Sequence, residues 1–194
     1  MYRAAAIKAL ETNLDLESGD LETHLKQMLD RAQIRFDRQR IMLDGRDVSR
    51  EIGAPAISDL ASRLSTFAAV RTRMRDLQRC LGEHGGVVME GRDIGTAVFP
   101  DAESKFFLDA DVEVRARRRY AELVAKQVPT TFNEVLQQLR DRDVRDRGRA
   151  LAPLKRAEDA VLIDTTNLDA DQVVNEMKSR IVAGGSAGKG LKRN

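Results

Sequence analysis

Cysteine is nearly absent from this chain, and so are the residues that make flat stacking surfaces. Cys80 stands alone, which excludes any disulfide within the chain and fits a reducing, cytoplasmic address. Two tyrosines and six phenylalanines in 194 residues leave little aromatic surface, which argues against a groove that stacks single-stranded nucleic acid. No apolar run is long enough for a membrane span, and no signal-peptide pattern opens the chain. The only histidines, His24 and His84, are isolated, and Cys80 has no partner at metal-ligand spacing, which argues against a structural zinc site. No serine nucleophile elbow occurs. Charge of one sign is also missing: 33 Lys and Arg face 31 Asp and Glu, for a net +2.

What is present is arginine in clusters, at 115–119 and 140–149, a distribution that suits several phosphates rather than a polyanion as such. Hydrophobic residues at 42% suffice for a core. The length suits one domain, read as 1–183, with an inserted lobe at 31–54 and a lid region at 110–150. The pattern predicts helices over 2–11, 20–31, 55–66, 69–81, 110–126 and 133–147, and a last one from 169 or 171 to about 181. Period-two alternation predicts a hairpin over 33–43, followed by a turn at Asp44-Gly45. Short apolar strands are expected at 87–89, 105–108 and 161–163, and strands alternating with helices imply an α/β fold with a parallel sheet and flanking helices. Residues 184–194, rich in glycine and lysine, read as a disordered tail.

The most informative stretch is 86–100. An apolar run stops at Glu90-Gly91-Arg92-Asp93, and open α/β sheets deliver ligand-binding groups at the carboxyl ends of such strands. Arg92 can fork onto a phosphate, and Asp93 can accept from a base or a neighbouring arginine. By itself the motif is as readily a surface ion pair at a turn. The stretch Arg140–Arg149 holds five arginines and three aspartates. It can be a solvated helix with internal ion pairs. Yet Arg142, Asp146 and Arg149 are spaced four and three, on one helical face that could grip a sugar hydroxyl and a phosphate. Arg115, Arg118 and Arg119 share another face, either plain charged surface or a lid that closes on a transferring phosphoryl group. The stretch 183–190 imitates a phosphate loop. It follows a helix instead of a strand, and alanine and glycine stand where the pattern needs glycine and a hydroxyl, so it reads as a linker.

Together, Met1-Tyr2-Arg3, the run Gly45–Ile52, Glu90–Ala102 and Arg142–Pro153 closely resemble bacterial cytidylate kinases, over residues 1 to about 181. The resemblance implies the P-loop nucleoside monophosphate kinase fold and transfer of the γ-phosphoryl group of ATP, with Mg²⁺, to CMP or dCMP in pyrimidine nucleotide metabolism. It implies that Arg3, Arg92 and Arg149 hold the acceptor phosphate, with Tyr2 beside them in the substrate site. Ser62, Arg71 and Asp93 would read cytosine, Arg142 and Asp146 would contact the sugar, and Arg115, Arg118 and Arg119 would face ATP. Of these, Arg92, Arg149, Arg118 and Arg119 are the expected catalytic cations. In the family's pattern the first strand, phosphate loop and first helix fall ahead of Met1, so the fold is expected in N-terminally truncated form and the chain as written is expected to show negligible kinase activity. The partners implied are CMP or dCMP and ATP, with no nucleic acid and no membrane, acting on a monomer. Two alternatives stay open: a CMP-binding module without phosphotransfer, and an arginine-rich nucleic-acid binder, which the acids interleaved among the arginines disfavour.

Overall fold

The computed structural model describes residues 1–187, and it divides the chain into two compact units that interleave along the sequence. The first joins Met1–Arg92 to Asp141–Leu154; the second joins Asp93–Arg140 to the chain from Lys155 onward. The segment 110–150 is thus shared out at Arg140, and the lobe 31–54 lies wholly in the first unit.

The first unit is built on four helices: α1 (Tyr2–Glu11), α2 (Leu21–Arg31), α3 (Pro55–Leu64) and α4 (Ala68–Gly82). In α1 the buried face is alanine: Ala4, Ala5, Ala6 and Ala9 are at most 3% exposed. Side chains this small let the α3 backbone approach closely, and α1 packs chiefly on α3 while α2 packs on α4. Leu21, Leu25, Met28 and Leu29 form the apolar stripe of α2. No side chain caps the start of α1, as its sequence requires, whereas α3 begins with Pro55, whose missing amide costs nothing there.

The lobe is an antiparallel meander of β1 (Ile34–Asp37), β2 (Arg40–Leu43) and β3 (Arg46–Asp47). Asp44 and Gly45 both take positive φ, +50° and +84°, which is the two-residue turn whose twist suits a hairpin. The Asp44 carboxylate accepts from the Gln33 amide at 2.7 Å and from Lys8 at 2.6 Å, and these bonds hold its pKa below the usual carboxylate range. Ile34, Leu43 and Val48 carry the lobe into the helical core.

The second unit contains a parallel strand pair, β4 (Phe106–Asp109) with β5 (Val161–Asp164), in register Phe106 to Val161. Helix α5 (Val112–Ala125) is capped by Asp111, whose carboxylate accepts from the amides of Glu113 and Val114. Helix α6 (Phe132–Gly148) starts with a reciprocal pair: the Thr131 hydroxyl accepts from the Glu134 amide, and the Glu134 carboxylate accepts from the Thr131 amide. Ala116, Leu123 and Val135 form this unit's core, with Tyr120 edge-on to Phe132. Helix α7 (Ala170–Ala187) runs past Ile181, so the stretch expected to be a tail from 184 is helical as far as Ala187. The remainder of that tail, including Lys189, lies outside the described residues. Among the described residues no helix is long and apolar enough to cross a membrane.

One expected strand does not form. Residues 87–89 carry no regular structure, and Val88 is 99% exposed. A strand exists through its ladder partners, and among the described residues this segment pairs with none. Apolar character alone therefore does not fold it. Denaturant titration should separate the two apolar environments. Leu25→Ala, at a fully buried position, should lose about 2–5 kcal/mol, whereas Val88→Ser should stay within about 0.5 kcal/mol of the parent.

Candidate active site

Asp146 is the centre of the arginine-rich face predicted on α6. It is 2% exposed, and three guanidinium groups converge on it. Arg92 Nε donates to Asp146 Oδ2 at 3.0 Å, Arg142 Nε lies 3.5 Å from the same oxygen, and Arg149 Nη1 lies 3.5 Å from Oδ1. The helical spacing of four and three supplies two of these cations, and the turn after 86–91 supplies the third. Three guanidiniums thus gather on one carboxylate, and guanidinium groups of this kind suit a phosphate monoester.

Further bonds hold these arginines in place. Arg142 Nη1 donates to Ser58 Oγ at 3.0 Å, and Arg149 donates through Nη1 to Ser65 Oγ at 3.2 Å and through Nε to the Ala152 carbonyl at 2.7 Å. Arg145 pairs with Asp59. Arg71 Nη1 reaches the Ser65 carbonyl at 3.3 Å, and the Ser65 hydroxyl donates to the Ser62 carbonyl at 2.7 Å. Arg3 Nη1 donates to the Ile52 carbonyl at 2.8 Å, and Tyr2 packs against the core. Burial pushes the Arg142 guanidinium below its ordinary pKa, and the charges of Arg92 and Arg3 push the same way, against the pull of Asp146. The guanidinium remains charged at any working pH. Ser62 is 5% exposed and its hydroxyl oxygen makes no hydrogen bond within the protein; the buried Nε of Arg142 also lacks one. Buried polar atoms of this kind are a cost unless a ligand satisfies them.

The remaining candidates lie in the second unit. Asp93 is 7% exposed and caps a single π-turn, Ile94–Val98. Arg115 Nε donates to the Ala110 carbonyl at 3.0 Å, and Arg119 pairs with Glu122 at 2.9 Å. Arg118 Nη2 donates to the carbonyls of Thr165, Thr166 and Leu168, tying α5 to the loop that follows β5. In this arrangement its guanidinium fastens that loop.

Ser58, Ser65 and Asp59 escaped the motif reading. A signal existed: Ser58, Ser62 and Ser65 are spaced four and three, a hydroxyl stripe along α3 that ends at its C-cap. On the described residues no group of three or more His, Cys, Asp or Glu side chains could hold a metal ion, so the donor set here fits an anion and not a protein-caged Mg²⁺.

Asp146→Asn should make the dependence on charge visible. Removing the buried anion leaves its guanidiniums facing one another, at a cost of about 3–5 kcal/mol by the usual penalty for breaking a buried pair. Inorganic phosphate should restore more stability to this variant than it adds to the parent, read as the shift in thermal midpoint with phosphate concentration.

A family model described as Cytidylate kinase matches residues 1–182. The cytidylate kinase of Syntrophotalea carbinolica is 47% identical over 181 residues, covering 91% of this chain and 76% of the relative. That of Caldanaerobacter subterraneus subsp. tengcongensis is 44% identical, covering 93% and 80%, and cytidylate kinase 1 of Haemophilus influenzae is 41% identical, covering 91% and 77%. By these similarities the chain belongs to the cytidylate kinase family, the ATP-dependent nucleoside monophosphate kinases that phosphorylate CMP and dCMP.

Proposed function

We propose that the residues gathered around Asp146 serve the acceptor side of the γ-phosphoryl transfer from ATP to CMP or dCMP that the family performs, and that Arg115, Arg118 and Arg119 serve its donor side. The observation that carries this reading is the convergence of three guanidiniums on one buried carboxylate. Arg92 and Arg149, with Arg3, hold the acceptor phosphate, and Tyr2 lines the same substrate site. Arg142 and Asp146 contact the sugar hydroxyls: the acid accepts from a hydroxyl, and Arg142 is steadied by Ser58. Ser62, Arg71 and Asp93 read the cytosine; the Ser62 hydroxyl is free to turn toward a base. Arg115, Arg118 and Arg119 serve the ATP side, with Arg118 acting by holding the loop after β5.

The chemistry asks for no dedicated base. An oxygen of the acceptor phosphate is already an anionic nucleophile. It attacks the γ-phosphorus, the bond to the β-bridging oxygen breaks, and ADP leaves. The protein has to align the two phosphates and offset charge on the equatorial oxygens, for which fixed guanidiniums are suited. Mg²⁺ is proposed to arrive on the ATP phosphates, as this ion commonly does, keeping much of its water shell. The acting species is taken to be the monomer, working in the cytoplasm as the lone Cys80 suggests, without nucleic acid or membrane as partner.

Calorimetry at physiological salt tests the ligand class. CMP should bind more tightly than an oligonucleotide of equal phosphate number, and the reverse order would favour the nucleic-acid reading. Arg142→Ala should cost CMP about 1.5–3 kcal/mol of binding energy and dCMP less, since the lost contact involves a charged hydrogen bond to the sugar. Equal losses for the two nucleotides would remove Arg142 from the hydroxyl contact.

A further inference from the structure

The turn that carries Asp93 is secured by a side chain outside every motif. The Asp93 carbonyl is the hub of this turn: the amides of Thr96, Ala97 and Val98 donate to it at 3.3, 2.9 and 3.3 Å. The backbone of Asp93, and so the origin of its carboxylate, is therefore fixed by the same turn. A π-turn is a rare, weakly bonded geometry that needs support from its surroundings. Lys105, the residue before β4, provides it from three directions. Its aliphatic stem lies on Gly95: a β-carbon added to that glycine would come within 3.3 Å of Lys105 Cδ and 3.6 Å of Cγ. Its ammonium donates to the carbonyl of Pro100, at the far end of the turn, and to the Asp159 carboxylate at 2.6 Å, just ahead of β5. Its own carbonyl accepts from the Val161 amide at 2.9 Å. The Lys105 side chain is 7% exposed, which is unusual for lysine, and here the buried charge is spent joining the turn to the two strands.

We infer that Lys105 is a positioning residue for Asp93: it locks the π-turn onto the start of β4 and β5, so that the Asp93 carboxylate meets a pyrimidine edge in one orientation. The inference rests on the reading of Asp93 as a cytosine contact. Without the ammonium, the Pro100 end of the turn is released and the binding-competent orientation of Asp93 is only one of several, which weakens apparent affinity in proportion. Discrimination between bases suffers most, because it depends on a donor and acceptor held in register. Recognition of phosphate and sugar, which relies on other residues, is untouched.

The test measures binding of CMP, UMP and ribose 5-phosphate to the full chain by calorimetry. The variants are Lys105→Met, which keeps the stem and removes the charge, Asp93→Ala, and the two combined. Lys105→Met should weaken CMP about tenfold, shrink the preference for CMP over UMP, and leave ribose 5-phosphate unchanged. Placed on top of Asp93→Ala it should add less than about a twofold loss, because a residue that acts through another has nothing left to act on. Wild-type CMP affinity in folded Lys105→Met, equal losses for CMP and ribose 5-phosphate, or additive losses in the double variant would each overturn the inference. Should Lys105→Met fail to fold, Asp159→Asn decides, since that carboxylate is 64% exposed and its loss is tolerable. It should cost CMP about threefold and ribose 5-phosphate nothing, and no loss of CMP affinity would overturn the inference. Unaltered CMP affinity in Asp93→Ala would sink the cytosine reading itself and this inference with it. A loss in Asp93→Ala with none in Lys105→Met would sink the role of Lys105 alone.

Discussion

A single carboxylate among three arginines governs the first unit. Asp146 is buried, and burying an anion is expensive unless it is paired and hydrogen-bonded. Arg92, Arg142 and Arg149 meet that requirement. Each guanidinium must then be held by other acceptors, and the structure supplies them: Ser58 and Ser65 from α3 and the Ala152 carbonyl beyond α6. The same bonds fix Arg142 and Arg149 against the hydroxyls of α3. Structural need and the proposed phosphate contact come from one arrangement.

The scaffold behind it is plain helix packing. Alanines on α1 permit close contact with α3, and α3 in turn carries the hydroxyls that orient the arginines. The meander adds rigidity through the Asp44-Gly45 turn and through ion pairs that join Lys8 to Asp44 and Arg46 to Glu11 and Glu51. These surface pairs contribute little each, and the buried Ile34, Leu43 and Val48 do most of the anchoring. In the second unit polar staples play a comparable part. Arg118 binds three carbonyls after β5, Thr165 bonds back to the Asp109 carbonyl, and Lys105 secures the turn after Asp93.

Local signals were the legible ones. Every expected helix formed, because each carried its own periodicity or punctuation, and Asp44-Gly45 announced its turn. The Thr131–Glu134 capping pair was equally readable and went unread. Arg142, Asp146 and Arg149 could be placed together from spacing alone, since one helix fixes their common face. Ser58 and Ser65 could not be weighed, because a serine on a helix acquires meaning only from what stands opposite. Lys105 was invisible for the same reason: its role depends on Gly95, Pro100 and Asp159, which are distant from it or from one another in sequence.

Residues 87–89 mark the boundary between the two kinds of information. Composition and glycine punctuation made them a strand, yet a strand is a relation between segments, and its hydrogen bonds belong to a neighbour as much as to itself. The sequence by itself determined the helices, the hairpin turn, the charged face of α6 and the family likeness, because these depend on residues within a few turns of one another. The tertiary structure decided which acid the arginines share, which hydroxyls hold them and which strands pair. Those outcomes depend on burial, where an unpaired charge or an unbonded amide costs far more than any local preference contributes.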